Sequence, residues 1–391
     1  MVKKNLSSRL TNQSISRRRF VGQTGAAALG ATALGGLGNA HAQLQKIDFS
    51  DQAPLRERAK RSGFYYGAAV LARQLREDKA FRDAVIRECN ALVHENELKW
   101  YPLQPREGMD YDFKNADYIA DFADEHDMAV RGAPLVWYIS IPNHVKDRVN
   151  KNTARDMLET HIKKVLGRYA GRFHSWDVVN EVLHQDHGRD DGLRNTFWLE
   201  AIGPEYIEMA FETASKVDPN TLLVFNDHAV TYDRDKHKRR RRHLINWVKR
   251  LQGNGIPIHG VGMQAHLSVA RHPFDGDEFR RFLDELGELG MRVYATELDV
   301  NDRNAPADLS VRDQVVAEEY ARFLEIFTTH PAVDMIVTWG LSDKYTWLNE
   351  YVPRLDGLPQ RSLPLDHKMR RKESWHALAT AFDQRTNVNE L

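Results

Sequence analysis

The sequence predicts an α/β chain folded as a (β/α)8 TIM barrel with a single catalytic domain. Three observations predict it. Short apolar runs alternate eight times with longer segments of helical spacing. The runs end again and again on polar side chains, as strands do when they deliver chemistry to the C-terminal face of a barrel. No Gly-rich dinucleotide loop follows the first run, which removes the main argument for a doubly wound open sheet. A chain of 391 residues, 42% of them apolar, is long enough for one such barrel and its core.

Taken in order, the chain begins with an export pattern. SRRRFVGQ (16 to 23) places adjacent arginines before an apolar and small stretch, VGQTGAAALGATALGGLG (21 to 38), and then AHA (40 to 42). Basic, apolar and small residues in that order read as a signal segment, and the arginine pair makes it resemble a twin-arginine signal. The expected organisation is a twin-arginine-type signal peptide over 1–42, an N-terminal extension over 43–59 and the catalytic domain over 60–391. The expected location is periplasmic or secreted, with the twin-arginine export machinery as a partner. The one cysteine, Cys89, excludes an intramolecular disulfide, which suits a route crossed in the folded state. No long uncharged apolar run follows, so no transmembrane segment is expected in the mature chain. With 55 basic and 55 acidic residues, nothing in the charge balance points to nucleic acid.

The eight runs are FYYGAAV (64 to 70), CNALVHENE (89 to 97), MAVRGAPLVW (128 to 137), SWDVVNEV (175 to 182), TLLVFND (221 to 227), HGVGMQAHL (259 to 267), MRVYATELDV (291 to 300) and DMIVTWGLSD (334 to 343). Between them lie helical patterns such as ARDMLETHIKKVLGRYAG (154 to 171) and DEFRRFLDELGELG (277 to 290), stopped at Gly171 and Gly290. KHKRRRRHLINWVKRL (236 to 251) reads as an amphipathic helix with Leu244, Ile245, Trp247, Val248 and Leu251 inward and a basic, solvated outer side. Binding of an acidic polysaccharide or of the cell envelope is the alternative use of that basic run.

Glu181 stands on the fourth run and Glu297 on the seventh, across the barrel mouth from one another. Two carboxylates flanking a bond are what glycosidic hydrolysis needs: one protonates the leaving oxygen, the other attacks the anomeric carbon or activates water. In TELDV, Glu297 and Asp299 point the same way along a strand. With His266 from the sixth run they suggest a chain Asp299 to His266 to Glu297 that supports an ionised nucleophile. Trp137, Trp339 and Trp347 supply aromatic faces for pyranose rings.

These pieces in this order resemble family 10 glycoside hydrolases, the family of endo-1,4-β-xylanases. The resemblance covers about residues 60 to 382 through HENELKW (94 to 100), RGAPLVW (131 to 137), WDVVNEV (176 to 182), FND (225 to 227), GVGMQAHL (260 to 267), TELDV (296 to 300) and TWGLSDKYTW (338 to 347). It implies a retaining mechanism on a polysaccharide, xylan foremost, with Glu181 as acid/base, Glu297 as nucleophile, and no cofactor or metal. It implies that Asn180 holds the sugar 2-hydroxyl and that Glu95, Asn96 and Lys99 grip the glycone side. Gln264, His266, Trp137, Trp339 and Trp347 fall beside the cleaved bond, and Asn226 is counted with the substrate-binding residues. The third-run segment departs from the family pattern, RGH followed by LVWHSQ. Here Ala133, Tyr138 and Ser140 stand where two histidines and a glutamine are usual, which leaves the exact glycan open. The alternatives are a β-glycanase of altered specificity, an inactive carbohydrate-binding homologue, and a metal-dependent barrel hydrolase. The last lacks histidines on the first run; His184 and His187 read as loop residues or subsite walls.

Overall fold

Valine, leucine, alanine and glycine dominate the runs, which suits strands buried on both faces. The computed structural model describes residues 52–270 and 272–389. The expected signal segment lies outside the described residues. The strands are β1 (Tyr65–Val70), β2 (Ala91–His94), β3 (Ala129–Gly132), β4 (Ser175–Asn180), β5 (Leu222–Asp227), β6 (Gly260–Met263), β7 (His266–Ser268), β8 (Arg292–Asn301) and β9 (Val333–Thr338). Neighbours run β6-β5-β4-β3-β2-β1-β9-β8, and β6 also pairs with β8 from Gly260↔Arg292 to Met263↔Ala295. That last parallel pairing closes the barrel.

All eight expected strands are present, but the sixth is broken into β6 and β7. Ala265 stands between them with φ 57°, a left-handed conformation that no glycine announces in the sequence. β6 pairs with the inner half of β8, and β7 with its outer half through His266↔Asp299. The break lets one run serve two levels of the rim.

The core has two shells. Inside the barrel, Ala69, Ala91, Val93, Val224, Tyr294, Met335 and Val337 form one cluster. The larger cluster fills the space between strands and surrounding helices. Trp176 of β4 lies on Gly132 of β3 so closely that a Cβ there would meet its ring at 2.0 Å, which only glycine avoids. The helix Leu55–Arg61 straddles residue 60, with Leu55 and Ala59 fully buried and the Leu55 N–H donated to Glu88. The helices Ala154–Arg168 and Gly276–Glu288 are followed by Gly171 and Gly290, both at positive φ.

The basic run forms the helix Asp235–Gly253, and its five expected apolar residues are buried. The expectation of a wholly solvated basic side is corrected by two arginines. Arg240 and Arg241 are buried and directed at the loop after β5: Arg240 Nη1 reaches Asp227 Oδ1 at 3.2 Å and the His228 carbonyl at 2.9 Å. Arg241 donates to the carbonyls of Val230, Thr231 and Tyr232. They hold a rim loop, while Lys236, Arg239, Arg242, Lys249 and Arg250 of the run are exposed.

Candidate active site

A strand that ends at the rim can present a polar side chain without burying it in the apolar interior. β4 does this with Asn180 and Glu181. Glu181 takes φ 55°, a left-handed backbone unusual for a side-chain-bearing residue and common where function demands it. Its N–H donates to the Asn226 carbonyl at 3.0 Å, and Arg194 Nε donates to its own carbonyl at 2.7 Å.

Glu181 and Glu297 are joined by a chain of three amides. Gln264 Nε2 donates to Glu181 Oε1 at 3.0 Å and to Asn180 Oδ1 at 3.2 Å. Asn226 Nδ2 donates to Asn180 Oδ1 at 3.0 Å and to Glu297 Oε1 at 3.1 Å. Thr296 Oγ1 fixes the other end of Asn226 at 2.8 Å. Gly262 makes room for this amide: a Cβ there would meet Asn226 Oδ1 at 2.2 Å.

On the other side of Glu297 stands His266. Its Nε2 is 3.3 Å from Glu297 Oε2, and its Nδ1 is 3.0 Å from Asp299 Oδ1. Trp347 Nε1 donates to Asp299 Oδ2 at 2.7 Å. Burial opposes charge on the imidazole, but Asp299 and Glu297 together outweigh it and hold its pKa up to about 10. A cation therefore sits against Glu297 at neutral pH. Burial, against the pull of Lys99, raises Glu95 to about 7, so this carboxyl exchanges protons near neutrality. Burial also lowers Lys99, while Glu297, Glu95 and Glu181 pull the other way.

These groups open onto a cleft of about 1300 Å³. Of the expected residues, Glu95, Asn96, Lys99, Trp137, Asn180, Glu181, Gln264, His266, Glu297, Trp339 and Trp347 all line it. The Lys99 ammonium lies 5.3 Å from the Trp137 ring and 5.8 Å from the Trp339 ring. Two expected residues stand behind the lining. Asp299 is fully buried beneath His266 and Trp347. Asn226, expected to bind substrate, is fully buried and bridges Asn180 and Glu297, so it shapes the site without facing the cleft.

His184 and His187 do not line the cleft; their rings stack on each other at 3.9 Å in the loop after β4. Among the described residues no group of three His, Cys, Asp or Glu side chains is arranged to hold a metal ion. The sequence reading missed Arg194, which braces Glu181, and the interior pair Arg131–Asp177, whose aspartate lines the cleft. It also missed the Tyr138 phenol, which donates to Glu181 Oε2 at 3.3 Å. Only the unusual segment WYIS pointed to that last contact.

Comparison with known proteins agrees with this geometry. The model of glycosyl hydrolase family 10 matches residues 54–381. Endo-1,4-beta-xylanase B of Thermotoga neapolitana is 33% identical over 304 residues, which is 76% of this chain and 84% of that protein. Two longer relatives are matched over 28% and 26% of their own length. Native xylanase 10B from Thermotoga maritima superposes with a TM-score of 0.77 at 31% identity, over 86% of this chain and 99% of that one. Xylanase 10B from Thermotoga petrophila, solved in complex with xylobiose, also gives 0.77, at 30% identity and the same coverage.

Proposed function

The chain belongs to glycosyl hydrolase family 10, and from that premise we propose that it is a retaining endo-1,4-β-xylanase that cuts internal β-1,4-xylosidic bonds of xylan by double displacement. The observation that carries this reading is the pair Glu181 and Glu297 at one cleft, linked by amides, with His266 set between Glu297 and Asp299 and not against Glu181.

In the first step the Glu297 carboxylate attacks the anomeric carbon. The glycosidic C–O bond breaks, and Glu181 gives its proton to the leaving oxygen. His266 sets its ring nitrogen against the attacking carboxylate and is itself held by Asp299, which accepts from Trp347. In the second step water loses a proton to Glu181, its oxygen bonds the anomeric carbon, and Glu297 leaves. Two inversions restore the starting configuration. In this reading Asn180 donates to the sugar 2-hydroxyl beside Glu297, and Glu95, Asn96 and Lys99 hold the glycone side. Trp137, Trp339 and Trp347 present rings for the apolar faces of the sugars.

The test is release of short xylo-oligosaccharides from plain xylan, glucuronoxylan and arabinoxylan, with mixed-linkage glucan and mannan as controls. Glu297→Ala is expected to abolish turnover. Glu181→Ala is expected to keep turnover of substrates with good leaving groups and to be accelerated by azide, giving a β-glycosyl azide. A folded Glu181→Ala protein that azide does not rescue refutes the acid/base assignment. Release from glucan or mannan instead of xylan refutes the substrate.

Export to the periplasm or beyond by the twin-arginine machinery is part of the same proposal, supported by SRRRFVGQ and the AHA that follows. Sequencing the N-terminus of the exported protein tests it, with a start near Gln43 expected. Retention in the cytoplasm with an intact N-terminus refutes it.

A further inference from the structure

Tyr138 follows Trp137, yet it does not line the main cleft. It lines a crevice of about 10 Å³ behind Glu181, with Trp198 and Tyr206, too small for any sugar. Its O–H donates to Glu181 Oε2 at 3.3 Å, while Gln264 donates to Oε1 at 3.0 Å. The two carboxyl oxygens are thus held from two different strand ends. The phenol ring is fixed in turn: the Arg194 guanidinium lies over it at 4.3 Å and also donates to the Glu181 carbonyl. One arginine therefore clamps both the tyrosine and the backbone of the residue it serves.

We propose that Tyr138 is a positioning residue for Glu181, aiming its carboxyl at the leaving oxygen and favouring its ionised form. The inference rests on the acid/base reading of Glu181 given above. A hydrogen bond donated to a carboxylate stabilises the charged form. Negative charge appears on Glu181 as it protonates the leaving group, and the same charge is what the second step uses as base. Burial first, and then the charge of Glu181, push the Tyr138 phenol above its ordinary range, so it remains an O–H donor across the working pH. The other charged groups around Glu181 are Lys99 after β2, Asp227 at the end of β5, Arg240 from the helix Asp235–Gly253, and Arg194. None of them is altered by removing the phenol oxygen.

The experiment compares wild type and Tyr138→Phe on two aryl β-xylobiosides, one with phenol as leaving group and one with dinitrophenol. Departure of phenol needs the proton from Glu181; departure of dinitrophenol does not. In Tyr138→Phe the alkaline limb of the kcat/KM profile for the phenyl substrate is expected to move up by about half to one pH unit. Its kcat/KM at the optimum is expected to fall by about three- to tenfold, with less than about a twofold change for the dinitrophenyl substrate. An unmoved limb, or equal falls on both substrates, overturns the proposal. Tyr138→Leu, also without a donor, carries the same test if the phenylalanine variant does not fold. Wild type that turns over neither substrate overturns the functional reading itself, a result distinct from an active enzyme whose limb stays in place.

Discussion

Raising the pH above neutrality is expected to loosen this barrel through one side chain. His266 is held at a pKa of about 10 because Asp299 and Glu297 outweigh the burial that opposes its charge. In the unfolded chain the same imidazole titrates near about 6.5. A proton bound more tightly in the folded state stabilises that state, so the contribution is complete below about pH 6.5 and is lost as the pH rises through about 10. The full difference corresponds to about 5 kcal/mol. The side chain is 26% open to water, and solvent screening reduces the expected size to about 2–3 kcal/mol. Urea unfolding in steps from about pH 6 to about pH 10 measures the loss in wild type and in His266→Gln. Imidazole nitrogen shifts on labelled histidine follow the titration itself. Wild type is expected to lose about 2–3 kcal/mol more than the variant across this window. Asp299→Asn, left with Glu297 alone, is expected to release the His266 proton at lower pH than wild type. An imidazole that titrates near about 6.5 in wild type, or identical pH dependence in wild type and His266→Gln, refutes the reasoning.

Two further outcomes are expected. Arg240→Met leaves Asp227 buried without its cation and is expected to destabilise by about 3–5 kcal/mol at pH 8. Burial, against the pull of Arg240, has already raised that carboxyl to about 6, so at about pH 5 it takes a proton and the melting defect should shrink; equal defects at both pH values refute this. Tyr101 and Ile139 are 52% and 45% exposed where they line the cleft, and the Tyr101 N–H joins the Ser140 carbonyl at 2.7 Å. Such exposed apolar surface suits a sugar beyond the gripped glycone residues. Tyr101→Ala is expected to lower kcat/KM several-fold for long xylo-oligosaccharides and to spare an aryl xylobioside, and uniform loss on both refutes that placement.

Much of the architecture was legible because its signals are local. Apolar runs bounded by helical patterns marked every barrel strand, and Gly171 and Gly290 marked turns that do take positive φ. The rim carboxylates were legible because a charge ending an apolar strand needs somewhere to go. The break at Ala265 was not, since alanine carries no sign of a left-handed backbone and the conformation is imposed by pairing to two levels of β8. The burial of Arg240 and Arg241 was hidden for another reason. A run of like charges reads as solvated surface, and only the fold shows that two of its members reach carbonyls of the preceding loop. Asn226 looked like a ligand for sugar because it ends a strand, but Gly262 gives it space to turn inward and bridge its neighbours.

The amide chain between Glu181 and Glu297 has an electrical consequence. Both Gln264 and Asn226 direct N–H groups at Asn180 Oδ1, so that oxygen is saturated and the Asn180 nitrogen is left to face the cleft. Amide nitrogens neither gain nor release protons at ordinary pH. The bridge therefore fixes the two carboxyls relative to each other while insulating one from the other. A proton on Glu181 has no wire to the carboxylate that must stay bare. Gln264→Glu would set a proton-exchanging group against Glu181, with Asn180 and Asn226 still standing between it and Glu297.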